Sequence, residues 1–220
     1  VSRAAVALAA LALLLGLLAA GAAAQPTGPL TREEALADIT KPDLETRRRA
    51  AAWMGEVGRM VDAPVLLRAL SDGDEVVRVL AEHSIWKVWS RSGDAEVDGL
   101  LQIGIEQMSR GDGPAAVETF TKVIERKPEF AEAWNKRATV YFLMGEHEKS
   151  LRDCDEVMKR NPAHFGALAG YGQIYLQLDQ PERALDYFRR ALRINPNLRG
   201  VAEMIPQLEQ LLSERRKGTI

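Results

Sequence analysis

The chain has 220 residues, 46% of them hydrophobic, with 29 basic and 31 acidic side chains and a net charge of −2. That length can bury a sizeable core in one or two domains, and the balanced charge offers no basic surface for nucleic acid or acidic lipid. One cysteine, Cys154, excludes an internal disulfide and a cysteine-rich zinc site.

Residues 1–24 read as a targeting segment. "VSR" gives a positive start, "AAVALAALALLLGLLAA" is uncharged and apolar, and Ala22-x-Ala24 supplies the small residues a signal peptidase reads. Cleavage is expected before Gln25, placing the mature chain in the periplasm or another exported space. The uncharged run over 4–24 is also long enough to span a bilayer, for which about 17–25 residues suffice. An uncleaved chain would be anchored to the inner membrane there, and no other membrane contact is expected. Residues 25–30, "QPTGPL", have linker chemistry.

From Thr31 onward the periodicity is helical throughout. Thr31 with Glu34 forms the pattern of a capping box. Apolar residues then recur at three- and four-residue spacing and break at Gly, Asp and Pro. The first half repeats itself: "DLETRRRAAAWMGEVG" starts at Asp43 and "DEVVRVLAEHSIWKVW" at Asp74, so that Arg47 matches Arg78 and Ala50 matches Ala81. Between them "DAPVLLRAL" makes a shorter helix, with Pro64 in its first turn. This pattern, over 31–92, resembles the HEAT-like repeats first noted in phycobilisome lyases. The resemblance implies stacked helix pairs, with Arg78 bracing an acidic group at a helix start. It does not imply lyase chemistry.

The second half repeats on a longer period. Pro128, Pro162 and Pro196 are separated by an identical interval of 34 residues. In windows starting at Val97, Ala131 and Phe165, the eighth position holds Gly104, Ala138 and Gly172, where two helices must approach closely. The large core position holds Phe120, Cys154 and Phe188, and the turn holds Gly111, Gly145 and Asp179. This order of small and large residues resembles the tetratricopeptide repeat. Three repeats are read, at 97–130, 131–164 and 165–198, followed by a capping helix over 199–213 and a polar tail over 214–220. Pro206 is expected to kink the cap or to start a second short helix. The fold class is thus all-α: a solenoid of stacked helical hairpins, each needing its neighbours to bury its apolar face.

Chemistry-bearing patterns are sparse. His83, His147 and His164 form no H-x-x-x-H pair, and no nucleophile elbow, P-loop or dinucleotide fingerprint occurs. No enzyme, cofactor, metal or small-molecule substrate is expected. Cys154 reads as a small buried hydrophobe. Trp86 and Trp89 share one helix face; core packing is the default, and exposure would mark a binding surface.

The repeat resemblance implies that the first helix of each hairpin lines a concave groove. The candidate partner-binding residues are Leu101, Ile105 and Met108 in the first repeat, Asn135, Thr139 and Phe142 in the second, and Gln173 and Leu176 in the third. Chaperone-adaptor relatives carry a cationic carboxylate clamp on this face. Here Leu101, Ile105, Gly166 and Gly170 stand at clamp positions, so the groove suits an apolar or helical peptide. The reading is a non-catalytic protein-binding adaptor, with self-association into an envelope assembly as the alternative.

Overall fold

A computed structural model describes residues 28–218. The chain divides into two compact units, Val1–Leu30 and Thr31–Ile220. The predicted signal or anchor run over 1–24 lies outside the described residues.

The second unit is an all-α solenoid, with no strand among the described residues. Its N-terminal part contains α1 (Arg32–Asp38), α2 (Leu44–Val57), a 3-10 turn at Met60–Asp62, α3 (Ala63–Ala69) and α4 (Glu75–Trp89). Three hairpins follow: α5 (Ala95–Ser109) with α6 (Gly113–Arg126), α7 (Ala131–Leu143) with α8 (His147–Arg160), and α9 (Phe165–Gln177) with α10 (Pro181–Ile194). The last helix, α11, runs from Arg199 to Arg216.

Local chemistry starts and stops these helices. Thr31 and Glu34 close their capping box. Asp43, Asp74, Asp94 and Asp112 each accept a first-turn amide and cap α2, α4, α5 and α6. Each repeat turn contains a left-handed residue at the same position: Gly111 (φ 78°), Gly145 (φ 76°) and Asp179 (φ 52°). Asp179 is the one that carries a side chain there, and aspartate tolerates the conformation better than most residues.

The hairpins close by a size match. A Cβ on Gly104 would lie 2.5 Å from the Phe120 ring, and one on Gly172 would press still closer on Phe188. In the middle repeat the small position is Ala138, which does carry a Cβ, and its opposite number is Cys154 rather than Phe. The knob shrinks where the hole has been partly filled.

The N-terminal helices are braced by paired ions. Arg47 grips Asp72 at 2.9 and 3.3 Å, and Arg48 grips Asp74 at 3.0 and 2.8 Å. Arg48 holds the Asp74 carboxyl down to about 2. Arg78, expected to brace an acid, does something else. Its Nη1 donates to the carbonyl oxygens of Asp72 and Gly73, and its Nε donates 3.0 Å to Asn197 Oδ1. Arg47 and Arg48 already occupy the acids, so Arg78 is left to reach the far end of the repeats.

That contact shows how the two halves join. A 15-residue helix such as α4 is about 22 Å long, which spans roughly two interhelix spacings of 8–10 Å. α4 lies across the starts of α11, α9 and α7 in turn. Arg78 meets Asn197, whose Nδ2 also donates 2.8 Å to the Leu70 carbonyl. Trp86 sits edge-on to Phe165 at 5.2 Å, and Trp89 stacks on His164 at 4.5 Å. Lys127 Nζ then donates 2.6 Å to the Ser92 carbonyl.

α11 caps the other end. It is one helix running through Pro206, not two, and it extends to Arg216, past the 213 expected. Proline there removes one amide donor, and burial of Leu208 and Leu212 against α10 and its neighbours keeps the helix in register.

Candidate partner-binding face

The first helices of the hairpins, α5, α7 and α9, lie side by side. On α7, Asn135, Thr139 and Phe142 fall at i, i+4 and i+7, so they form one stripe. On α9, Gly166, Gly170 and Gln173 repeat that spacing. The two stripes face each other across a cavity of about 120 Å³, whose floor is Cys154. Two missing side chains make it. Cys154 stands where Phe120 and Phe188 fill the neighbouring repeats, and Gly170 has no side chain: its nearest neighbour would be Cys154 Sγ, 4.0 Å from an added Cβ.

The polar groups on the rim are engaged within the protein. Asn135 Nδ2 donates to Glu132 at 3.2–3.3 Å. Thr139 Oγ1 donates 2.9 Å to the Asn135 carbonyl, and Gln173 Nε2 reaches Met204 Sδ at 3.5 Å. What remains facing the cavity is mainly apolar. Cys154 is 2% exposed, and burial, with the Asp153 and Asp155 charges beside it, pushes the thiol up to about 12. It is an inert wall at neutral pH.

Beside the cavity lies a buried charged network that the sequence reading did not anticipate. Glu132 is 1% exposed. Its carboxylate is 3.0 Å from His164 Nε2 and 3.0 Å from Lys136 Nζ. Burial pushes the Glu132 carboxyl up, but the His164 hydrogen bond and the Lys136 charge outweigh it and hold the group below its usual range. His164 Nδ1 accepts the Ala167 amide at 3.0 Å and so caps α9. That bond leaves the ring proton on Nε2, pointing at Glu132. The only sequence signal was the pair of tryptophans on one face of α4, since Trp86 and Trp89 roof this network.

The predicted site residues therefore divide. Asn135, Thr139, Phe142 and Gln173 converge on the cavity. Leu176 is half-buried against the cluster that joins α10 and α11. Leu101, expected in the groove, is fully buried in the core with Phe120, Phe130 and Val140. Ile105 and Met108 are half-buried against that same core. The reason is packing between hairpins, since α7 lays Ala133 and Val140 against this side of α5. Gly166 also gains an explanation. A Cβ there would lie 2.5 Å from Trp86 Cη2, so the position is small to admit the tryptophan. Among the described residues, no cluster of three His, Cys, Asp or Glu side chains could hold a metal.

The fold and its small–large pairing define an α-solenoid of stacked helical hairpins. Residues 129–197 match the tetratricopeptide repeat family model. The chain is 34% identical over 128 residues to a TPR repeat-containing protein of Rhizobium etli, a match covering 58% of this chain and 63% of that protein's length. Among solved structures, the Sgt2 TPR domain from Aspergillus fumigatus superimposes with a TM-score of 0.54 at 19% identity, over 58% of this chain and 85% of that one. The first TPR of Spaghetti, bound to the HSP90 peptide SRMEEVD, gives a TM-score of 0.52 at 21% identity, over 55% and 96%.

Proposed function

We propose that this chain is a non-catalytic adaptor that holds a partner segment across α7 and α9, with one apolar side chain seated over Cys154. The observation that carries the reading is the 120 Å³ cavity, built from two successive repeats on the face formed by their first helices. Tetratricopeptide-repeat proteins act as protein-interaction adaptors, and the Spaghetti repeat domain holds a peptide. The partner proposed here differs in chemistry from that acidic peptide. Leu101 is buried and Gly166 lies under Trp86, so neither position can present a cation to an acidic tail. An apolar or amphipathic helical segment fits the walls that remain.

In this reading the HEAT-like first half is a brace, with α4 holding the starts of the repeat helices at fixed spacing. The uncharged run over 4–24 supports work in an exported space of the cell envelope.

The test is site-specific photocrosslinking in the cell envelope, with the crosslinker at Phe142 and a control at Lys149 on α8. A discrete adduct from Phe142 alone is the expected result, and Phe142→Glu should abolish capture while leaving the helical signal intact. Adducts to a second copy of the chain would replace the adaptor reading with self-assembly. Equal labelling from both sites, or none, would sink the groove assignment.

A further inference from the structure

The balanced overall charge hides a local surplus at the end of the solenoid. Residues 181–217 contain eight basic and five acidic side chains, against a net charge of −2 for the whole chain. Five of the eight cations are engaged. Arg189 pairs with Glu209 at 2.5 Å, Arg190 with Asp186 at 3.9 Å, Arg199 with Glu75 at 2.5 Å and Arg215 with Asp179 at 2.6 Å, while Arg183 lies over the Tyr175 ring. Arg193, Arg216 and Lys217 remain, exposed and without a side-chain partner among the described residues. All three line one furrow, between α10 and α11.

The first half of this furrow is a hollow of about 460 Å³ walled by Leu192, Arg193, Ala202, Ile205 and Pro206. The second half, about 420 Å³, is walled by Leu185, Leu212, Ser213, Arg216 and Lys217. Arg189 borders both, and its bridge to Glu209 crosses between them. Glu209 is the only one of the five acids that lines the furrow, and Arg189 already matches it. Cations with unengaged donors therefore stand at both ends of a floor made by buried Leu185 and Leu212 and half-buried Leu192 and Ile205.

The repeat indicates what shape fits there. α11 follows Pro196 as α7 follows Pro128 and α9 follows Pro162, so it stands in the place of a hairpin's first helix. In the outer hairpins the second helix closes over the eighth position, Phe120 against Gly104 and Phe188 against Gly172. The corresponding residue of α11 is Pro206, 34 residues beyond Gly172, and it is exposed in the furrow. No second helix covers it among the described residues. From Ala202 to Lys217, α11 spans about 22 Å, room for a helix of about four turns.

We propose that this furrow docks an acidic amphipathic helix of a partner protein, laid along α11 where the second helix of a fourth hairpin would pack. Its apolar stripe covers Leu192, Ile205 and Pro206. Its carboxylates answer Arg193 at one end and Arg216 and Lys217 at the other. The furrow shares no residue with the cavity over Cys154, so the proposal stands or falls independently of the adaptor reading.

The probe is a fluorescent helical peptide of about fifteen residues, with Leu and Ala on one face and Glu on the other, titrated against the protein by anisotropy. One control peptide carries Lys for Glu, and a second carries Ser for Leu. Saturable one-to-one binding at micromolar concentration is expected, about tenfold or more tighter than either control. Arg193→Glu combined with Arg216→Glu should weaken the Glu peptide about tenfold and make the Lys peptide the better ligand, a reversal that loss of structure would not produce. The same variant should keep its helical circular dichroism and its crosslinking from Phe142. Lys217→Glu repeats the test with one charge, should the double change disturb the end of α10. Equal binding of the Lys or the Ser peptide would overturn the proposal, because only floor or only charge would then be read. Unchanged binding by the charge-reversed proteins would also overturn it, since the peptide would then sit elsewhere. Tighter binding of acidic lipid vesicles than of the peptide would replace it with a membrane-facing surface. Loss of a native dimer on charge reversal would replace it with a second copy of the chain. Binding that never saturates, or none, would end it.

Discussion

Restoring the outer-repeat pairing in the middle hairpin tests both the packing logic and the binding face. Cys154→Phe alone places a ring where Ala138 keeps its Cβ. At the equivalent Gly104, a Cβ would lie 2.5 Å from the Phe120 ring, against about 3.5–4.0 Å for a relaxed carbon contact. The overlap exceeds roughly 1 Å, and overpacking of that kind costs about 1–3 kcal/mol. Ala138→Gly alone gives up about 1 kcal/mol of helix propensity. In the double variant the hole accepts the ring, and burying the larger side chain offsets the glycine. Its stability should return to within about 1 kcal/mol of the parent, giving a coupling energy of about 1–3 kcal/mol. Urea denaturation of the four proteins measures this, and thermal midpoints should move about 2–4 °C per kcal/mol for a chain of this size. The double variant also replaces the floor of the cavity, so crosslinking from Phe142 should fall while the protein remains folded. Additive effects, or a Cys154→Phe protein as stable as the parent, would refute the reasoning: the ring would then have swung into the cavity, and the small–large pairing would not govern the hairpin.

Three further outcomes are expected. The Asp74 carboxyl sits at about 2 in the folded protein, against an ordinary 3.8. The unfolded chain therefore takes up this proton first as pH falls, and the stabilisation is whole above about pH 4 and lost between 4 and 2. Arg48→Met should flatten that part of the acid-unfolding curve, and an unchanged slope would disprove the pairing. The Cys154 thiol, held up to about 12 by burial, should react with a disulfide reagent at pH 8 only as fast as the protein opens. Labelling at the rate of a free thiol would contradict its burial. Arg78→Met removes a charged donor's bond to Asn197, worth about 1.5–3 kcal/mol. Amides in the first turns of α4 should then exchange about tenfold faster or more, and unchanged protection would show that Arg78 does not hold the strap.

Much of the fold was legible because it rests on local, repeated chemistry. The returning prolines, the Thr31–Glu34 capping box and the turn residues Gly111, Gly145 and Asp179 each act within a few residues of themselves. The candidate site was legible only in part. Asn135, Thr139, Phe142 and Gln173 could be placed on one face by helical spacing, and the structure brings them around one cavity. Leu101 could not be separated from them by spacing, because whether that side of α5 faces solvent or core depends on α7. The Glu132–His164 pair joins residues 32 positions apart, and nothing near either one announces the other.

By itself, the sequence determined the all-helical class and the 34-residue repeat, since turn geometry and apolar period are properties of short stretches. Only the tertiary structure decided where α4 lies, because a strap across three helix starts depends on side chains as far apart as Arg78 and Asn197. That placement put Trp86 over Gly166, stacked Trp89 on His164, and left the cavity over Cys154 open. Burial of a surface is a relation between distant segments, and it exists only once the chain has folded.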